Sequence, residues 1–160
     1  MMPAYDTVVV RTVAKIMIPM IQVFALYVVF HGAKSPGGGF QGGAILGASV
    51  ILARLTAGPG ISVGYLPGLS GLRGGAAGVL IYATVGALPL LWGGAFLDYG
   101  AVPMAGIHAA ELRALGIEAV EVGVALAVAC VMVSIFDDLA PNRRPTRAAT
   151  SRRTATSTHD

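Results

Sequence analysis

The chain has 160 residues, of which 55% are hydrophobic and 12% charged, with a net charge of +3 and a mean hydropathy of +0.73. A soluble domain of this size would need more polar surface than that composition supplies, so the chain reads as an all-α membrane protein. Cys130 is the single cysteine, which excludes a disulfide framework within the chain, and 22 glycines in so apolar a sequence indicate helix-packing surface rather than disorder.

The N-terminal stretch MMPAYDTVVVRTVAK has no basic residue before Arg11, and no small-residue cleavage site follows the apolar run, so it reads as a retained anchor. Residues 1–12 are expected to form a cytoplasmic segment. A bilayer core of about 30 Å needs about 20 helical residues. Four runs satisfy this, at about Val13 to Phe30, Gly37 to Thr56, Gly74 to Leu97 and Ile117 to Phe136. They define a four-helix transmembrane domain over 13–138. Residues 139–160 form a basic tail whose Arg, Ser, Thr and Pro carry no apolar periodicity; disorder in the cytoplasm is expected there.

With both termini cytoplasmic, Arg11, Lys15, Arg54, Arg73, Arg143, Arg144, Arg147, Arg152 and Arg153 fall inside, and Lys34 and Arg113 outside. Basic residues favour the cytoplasmic side of a membrane, so the positive charge sets topology. It does not mark a nucleic-acid partner. Lys15 and Arg54 lie near the cytoplasmic ends of their helices, where long side chains snorkel to water, and they are the weaker candidates for an ion path.

Between the first two spans stands HGAKSPGGGFQGG. His31, at the outer boundary, could relay protons near neutral pH. Pro36 suits the first turn of the second helix, where its missing N–H is no loss. Gly37, Gly38 and Gly39 permit backbone conformations closed to other residues, and irregular backbone at membrane depth must be satisfied by protein or by a water-filled cavity. Further on, Gly39, Gly43 and Gly47 recur every four residues, with Gly38 and Gly42 forming a neighbouring stripe. This small-xxx-small spacing lets helices approach closely, whether the partner lies in this chain or in another protein. Gly71 and Gly75, then Gly74 and Gly78, repeat the spacing in the third helix. Pro19 and Pro89 are expected to kink their helices, and Trp92 and Tyr99 to join the outer aromatic belt.

Glu118 and Glu121 fall inside the fourth span. Three residues apart, they share a helix face. A carboxylate at the depth of Glu121 must be paired, hydrated or protonated, which makes it the leading candidate for an ion or proton path. His108 and Glu111 share a possible face but have no third ligand, so no metal site is expected. The sequence carries no nucleophile elbow, phosphate loop, zinc spacing or haem-attachment motif, and GGGFQGG lacks the strand-turn-helix context of a dinucleotide site. Neither a stand-alone enzyme nor a cofactor is expected. Four helices without an internal repeat also fall short of many secondary transporters, so a subunit fits better.

The string PGGGFQGG, comprising Pro36, Gly37, Gly38, Gly39, Phe40, Gln41, Gly42 and Gly43, resembles the signature of the MnhB (MrpB) family. Residues 65–99 and 116–136 are similar to that family's third and fourth spans in order and spacing. A longer carboxylate, Glu121, stands where the family often has aspartate. The resemblance implies a plasma-membrane subunit of a multisubunit Na⁺/H⁺ antiporter. Its implied partners are the other subunits, the lipid bilayer, and transported Na⁺ and H⁺. The alternative is a structural subunit of a hydrogenase-like or complex I-related assembly without direct ion transport.

Overall fold

The computed structural model describes residues 8–32, 36–61, 71–103 and 106–139. Helix α1 spans Val8–His31, α2 Gly39–Ile61, α3 Leu72–Ala87 and α4 Ala109–Leu139, with 3-10 segments at Leu88–Trp92 and Tyr99–Ala101. Among the described residues, four stretches are long and apolar enough to cross a membrane: Val8–His31, Gly39–Thr56, Leu72–Trp92 and Ala109–Leu139. The protein is a four-span all-α membrane protein.

The boundaries differ from the sequence expectation for identifiable reasons. Helix α1 already includes residues 8–12, which were assigned to a cytoplasmic segment; three successive valines extend the apolar run toward the N-terminus. It also continues through Pro19. Pro36 does not open α2 but lies three residues before it, and Gly38 takes the capping position: its carbonyl accepts from Gly42 N–H at 2.9 Å. The third span stops at Trp92 instead of Leu97. Pro89 has no N–H to continue the α-helical ladder, the chain tightens to 3-10, and Gly93 ends it at φ 75°. The fourth helix begins at Ala109 rather than Ile117, because the polar turns that carry Glu111 and Arg113 are helical as well. Its 31 residues would extend about 46 Å, more than a hydrocarbon core needs.

The packing order is an open row, α1, α2, α4, α3. Helix α4 packs along both α2 and α3, α1 packs along α2 and touches α4, and among the described residues α3 meets neither α1 nor α2. Helices α2 and α4 run parallel, because their contacts run in step. Gly39 faces Glu121, Gly43 faces Ala125 and Gly47 faces Ala129. A Cβ on Gly43 would stand 2.6 Å from the Ala125 carbonyl oxygen, so backbone is packed against backbone. Gly42 faces α1 instead, where its Cβ would lie 2.9 Å from the Ala25 carbonyl oxygen. Gly78 does the same for α3 against α4, at 2.5 Å from Ala127 N. Gly39, Gly43 and Gly47 thus hold α4 and Gly42 holds α1, both within this chain, while Gly38, the other member of the second stripe, faces Glu121 of α4.

The buried interior is correspondingly thin and built of small residues, with Ala14, Ile18 and Ala53 joining α1 to α2 and Ala125, Ala129 and Val133 lining α4. Large apolar side chains point outward, among them Met20, Val23, Phe24 and Phe30 on α1. In water such surface would be untenable; in lipid or against other subunits it is ordinary.

Candidate functional site

Among the described residues, Gly38 N–H donates to the Val28 carbonyl at 3.3 Å, which satisfies an acceptor near the end of α1. Gly38 adopts φ 131°, a conformation L side chains rarely enter. Into the elbow formed by this bend comes the side chain of Glu121 from α4. A Cβ on Gly32 would lie 2.5 Å from Oε1 of Glu121, and one on Gly38 3.2 Å from the same oxygen. A Cβ on Gly39 would lie 2.9 Å from the Glu121 carbonyl carbon. Gly32 and Gly38 therefore form a bare-backbone cradle for the carboxyl group, while Gly39 lies against the Glu121 backbone. Its Oε2 is buried and has no hydrogen-bond partner among the described residues.

One further buried side-chain oxygen is unpartnered in the same way, the hydroxyl of Tyr99. Expected in the aromatic belt, Tyr99 instead lies under the connection between α3 and α4, 7% exposed. Its ring rests on Gly116, where a Cβ would come within 2.5 Å of Cδ2. Burial, and secondarily Tyr82, push the Tyr99 phenol above its ordinary pKa, so the hydroxyl keeps its proton at neutral pH. Tyr99 and Glu121 line a common cavity of 420 Å³ together with Leu97, Asp98, Arg113 and Val120. Asp98 and Arg113 are exposed at its mouth, and the Arg113 guanidinium lies along Gly100, whose Cβ would stand 2.7 Å from Nη2.

The other candidates fall into two groups. Glu118 lies one turn before Glu121 on α4, half-buried, and His31 is exposed beside the cradle, its ring stacked on Tyr27 at 4.6 Å. Lys15 and Arg54 are at the opposite end. Lys15 is exposed on α1 beside the buried contact of Ala14 and Ile18 with Ala53. Arg54 is buried and ion-paired with Asp137 of α4. The fifteen residues from Gly39 to Arg54 correspond to roughly 22 Å along α2. The five side chains therefore do not converge on one site. Within the motif, the glycines face inward, whereas Pro36, Phe40 and Gln41 face out.

Sequence reasoning missed Gly32, Tyr99, Asp98, Arg113 and Asp137. Only two signals could have pointed to them: Gly32 stands in the same glycine-rich turn, and Asp137 occurs in the last turn of its helix as Arg54 does near the end of its span.

Comparison with known proteins bears on the same segment. Residues 9–134 match the family described as "Domain related to MnhB subunit of Na+/H+ antiporter". A Staphylococcus haemolyticus (strain JCSC1435) protein, provisionally named antiporter subunit mnhB2, is 34% identical over 135 residues, covering 82% of this chain and 92% of that protein. A protein of the same provisional name from Staphylococcus aureus (strain Newman) is 45% identical over 47 residues, 29% of this chain and 33% of its own length. With the family match running from α1 almost to the end of α4, the chain belongs to the MnhB family.

Proposed function

We propose that the chain is a plasma-membrane subunit of a multisubunit Na⁺/H⁺ antiporter, and that Glu121 is a titratable group on its ion or proton path. One observation carries the second part: a carboxyl oxygen buried, without a partner among the described residues, beside the bare backbone of Gly32 and Gly38. A buried carboxylate without a partner is costly, so the group must take up a proton, water or a passing cation. Glycines at 32 and 38 leave room for it and offer no side-chain donor that would pin it in one state. In this reading Glu118 and His31 exchange protons with water near the cradle, while Lys15 and Arg54 anchor the other end.

Docking to other subunits is the second half of the role. The helices form an open row, and a groove of 840 Å³ between α3 and α4 is lined by Gly75, Val79, Leu80, Val131 and Ile135, among others. Phe40 and Gln41, on the outer face of the motif, are available to a neighbour or to lipid. The excess of Lys and Arg at one end supports a topology with both termini in the cytoplasm. No reaction chemistry is assigned to this subunit.

The test is Glu121→Gln in the complete complex, with assembly followed by co-purification and antiport followed in membrane vesicles. Normal assembly with antiport reduced about tenfold or more is expected. Wild-type antiport over a range of pH would remove Glu121 from the path. The subunits that co-purify decide the kind of complex: large antiporter-like partners support this reading, and redox subunits with iron-sulfur sites would replace it.

A further inference from the structure

A proton, a water molecule and a metal cation make different demands on the space around a carboxyl group. The Oε2 atom of Glu121 is buried, with no side open to solvent and no hydrogen-bond partner among the described residues. A Cβ on Gly32 would lie 2.5 Å from Oε1 and nearer still to Oε2, so the glycine backbone is packed on the carboxyl group itself. Gly38 closes in beside Oε1, where a Cβ would lie 3.2 Å away. A water or a metal ion bound to Oε2 would have to displace these contacts, whereas a proton rides on the oxygen.

The surroundings also lack the ligands that a hard cation needs, since such ions are held by several oxygens at once. At the end of α1 the Val28 carbonyl already accepts from Gly38 N–H and the Val29 carbonyl from Gly32 N–H, each at 3.3 Å. The Glu121 carbonyl is packed against Gly39. Among the described residues, no three His, Cys, Asp or Glu side chains are grouped to hold a metal ion. On the cavity side stand Leu97, Tyr99, Ile117 and Val120, with Asp98 and Arg113 exposed at the mouth, where the guanidinium opposes a metal cation. The other titratable groups nearby are Glu118, one turn earlier on α4, and His31, exposed on α1; the stretch of α2 from Gly38 to Gly43 has none.

We propose that Gly32 and Gly38 make Glu121 a proton site from which Na⁺ is excluded, so that this carboxyl serves only the H⁺ half of the exchange. The inference rests on Glu121 lying on the transport path. In the cradle the group is the neutral acid, because a buried site without a partner disfavours the charged form. Uptake joins one proton to the carboxylate, and release returns it to water; no other bond is made or broken. Since Oε2 is closed off, release requires the side chain to leave Gly32, and a glycine has no side-chain donor to hold it back.

The experiment compares the purified complete complex, wild type against Glu121→Gln, with Glu121→Ala taking its place if that variant does not assemble. Radioactive sodium bound per complex is counted at a sodium concentration that saturates antiport. Equal counts are expected, and one sodium fewer in the variant overturns the exclusion. The infrared spectrum of wild type minus variant should show, at neutral pH, the C=O stretch of a protonated carboxyl group. Carboxylate bands in its place overturn the proton-loaded cradle. Antiport in vesicles, expected to fall about tenfold or more, separates the two readings. An impaired variant that has also lost one sodium leaves Glu121 on the path and makes it a cation site, so the proposal alone is overturned. Wild-type antiport removes Glu121 from the path and takes the proposal with it.

Discussion

Arg54 of α2 and Asp137 of α4 form an ion pair at the opposite end of the same seam that begins with Gly39 against Glu121. The seam is therefore fixed at one end by charge and at the other by close backbone contact. The Arg54 side chain is 10% exposed and that of Asp137 35%. Breaking such a pair from one side removes a charge-assisted contact from a largely buried guanidinium, whereas removing both charges need not destabilise.

Asp137→Asn should accordingly destabilise the subunit by about 1–3 kcal/mol. The double variant Arg54→Met with Asp137→Leu should recover most of that loss. Thermal melting in detergent, or the subunit's level in membranes, measures both. Equal damage from the single and double variants would show that the charges serve something other than each other.

The glycines are not equivalent, and the structure ranks them. A Cβ on Gly43 would stand 2.6 Å from the Ala125 carbonyl oxygen, but one on Gly75 would stand 3.4 Å from the Val131 side chain, an ordinary contact. Gly43→Ala should therefore cost about 1–3 kcal/mol by forcing α2 away from α4. Gly75→Ala should be close to neutral or slightly stabilising through helix propensity. The same melting measurement decides, and a comparable loss at both positions would contradict the ranking.

At the cradle the expected effect is on function as well as stability. Gly38→Ala meets φ 131° and should cost about 1–3 kcal/mol in backbone strain. Gly32→Ala puts a methyl against the Glu121 carboxylate. Assembly of Gly32→Ala should improve when Glu121→Ala is added, because the clashing group is gone, while antiport should stay low. Failure of the second change to improve assembly would mean that the methyl is harmful for another reason.

How much of this was legible from the residues alone depended on what each signal encodes. Four apolar runs gave the helices, because length and hydropathy are local properties. The four-residue glycine spacing gave close packing, yet it could not name the partner. That the Gly39, Gly43 and Gly47 stripe meets α4 of the same chain depends on the row order of the helices, which no local pattern carries. Glu121 stood out as a charge in an apolar run, but its contact with Gly32 and Gly38 joins segments more than eighty positions apart. Tyr99 was misread for the same reason: at the end of a presumed span it resembled a belt aromatic, until Pro89 and Gly93 ended the helix early and the connection folded beneath itself. Leu97, which donates its N–H to the Gly86 carbonyl at 2.9 Å from a positive φ of 69°, marks that return and has no sequence signature.

Lys15 is the candidate that geometry most clearly separates from the cradle. It is exposed on the N-terminal half of α1, on the turn that packs against Ala53 and hence at the Arg54 end of the seam. A chain of proton transfers between it and Glu121 would have to cross roughly 22 Å of glycine-packed helix contact, where backbone meets backbone and little space remains for water. Lys15→Gln should therefore change stability by less than about 0.5 kcal/mol and leave the antiport rate of the complex at the wild-type level, in contrast to Glu121→Gln. Vesicle assays on the two variants, matched for subunit content, make the comparison. A loss at Lys15 as large as that at Glu121 would mean that the path runs along the outer surface of α1, against a neighbouring subunit, and not through the α2–α4 seam.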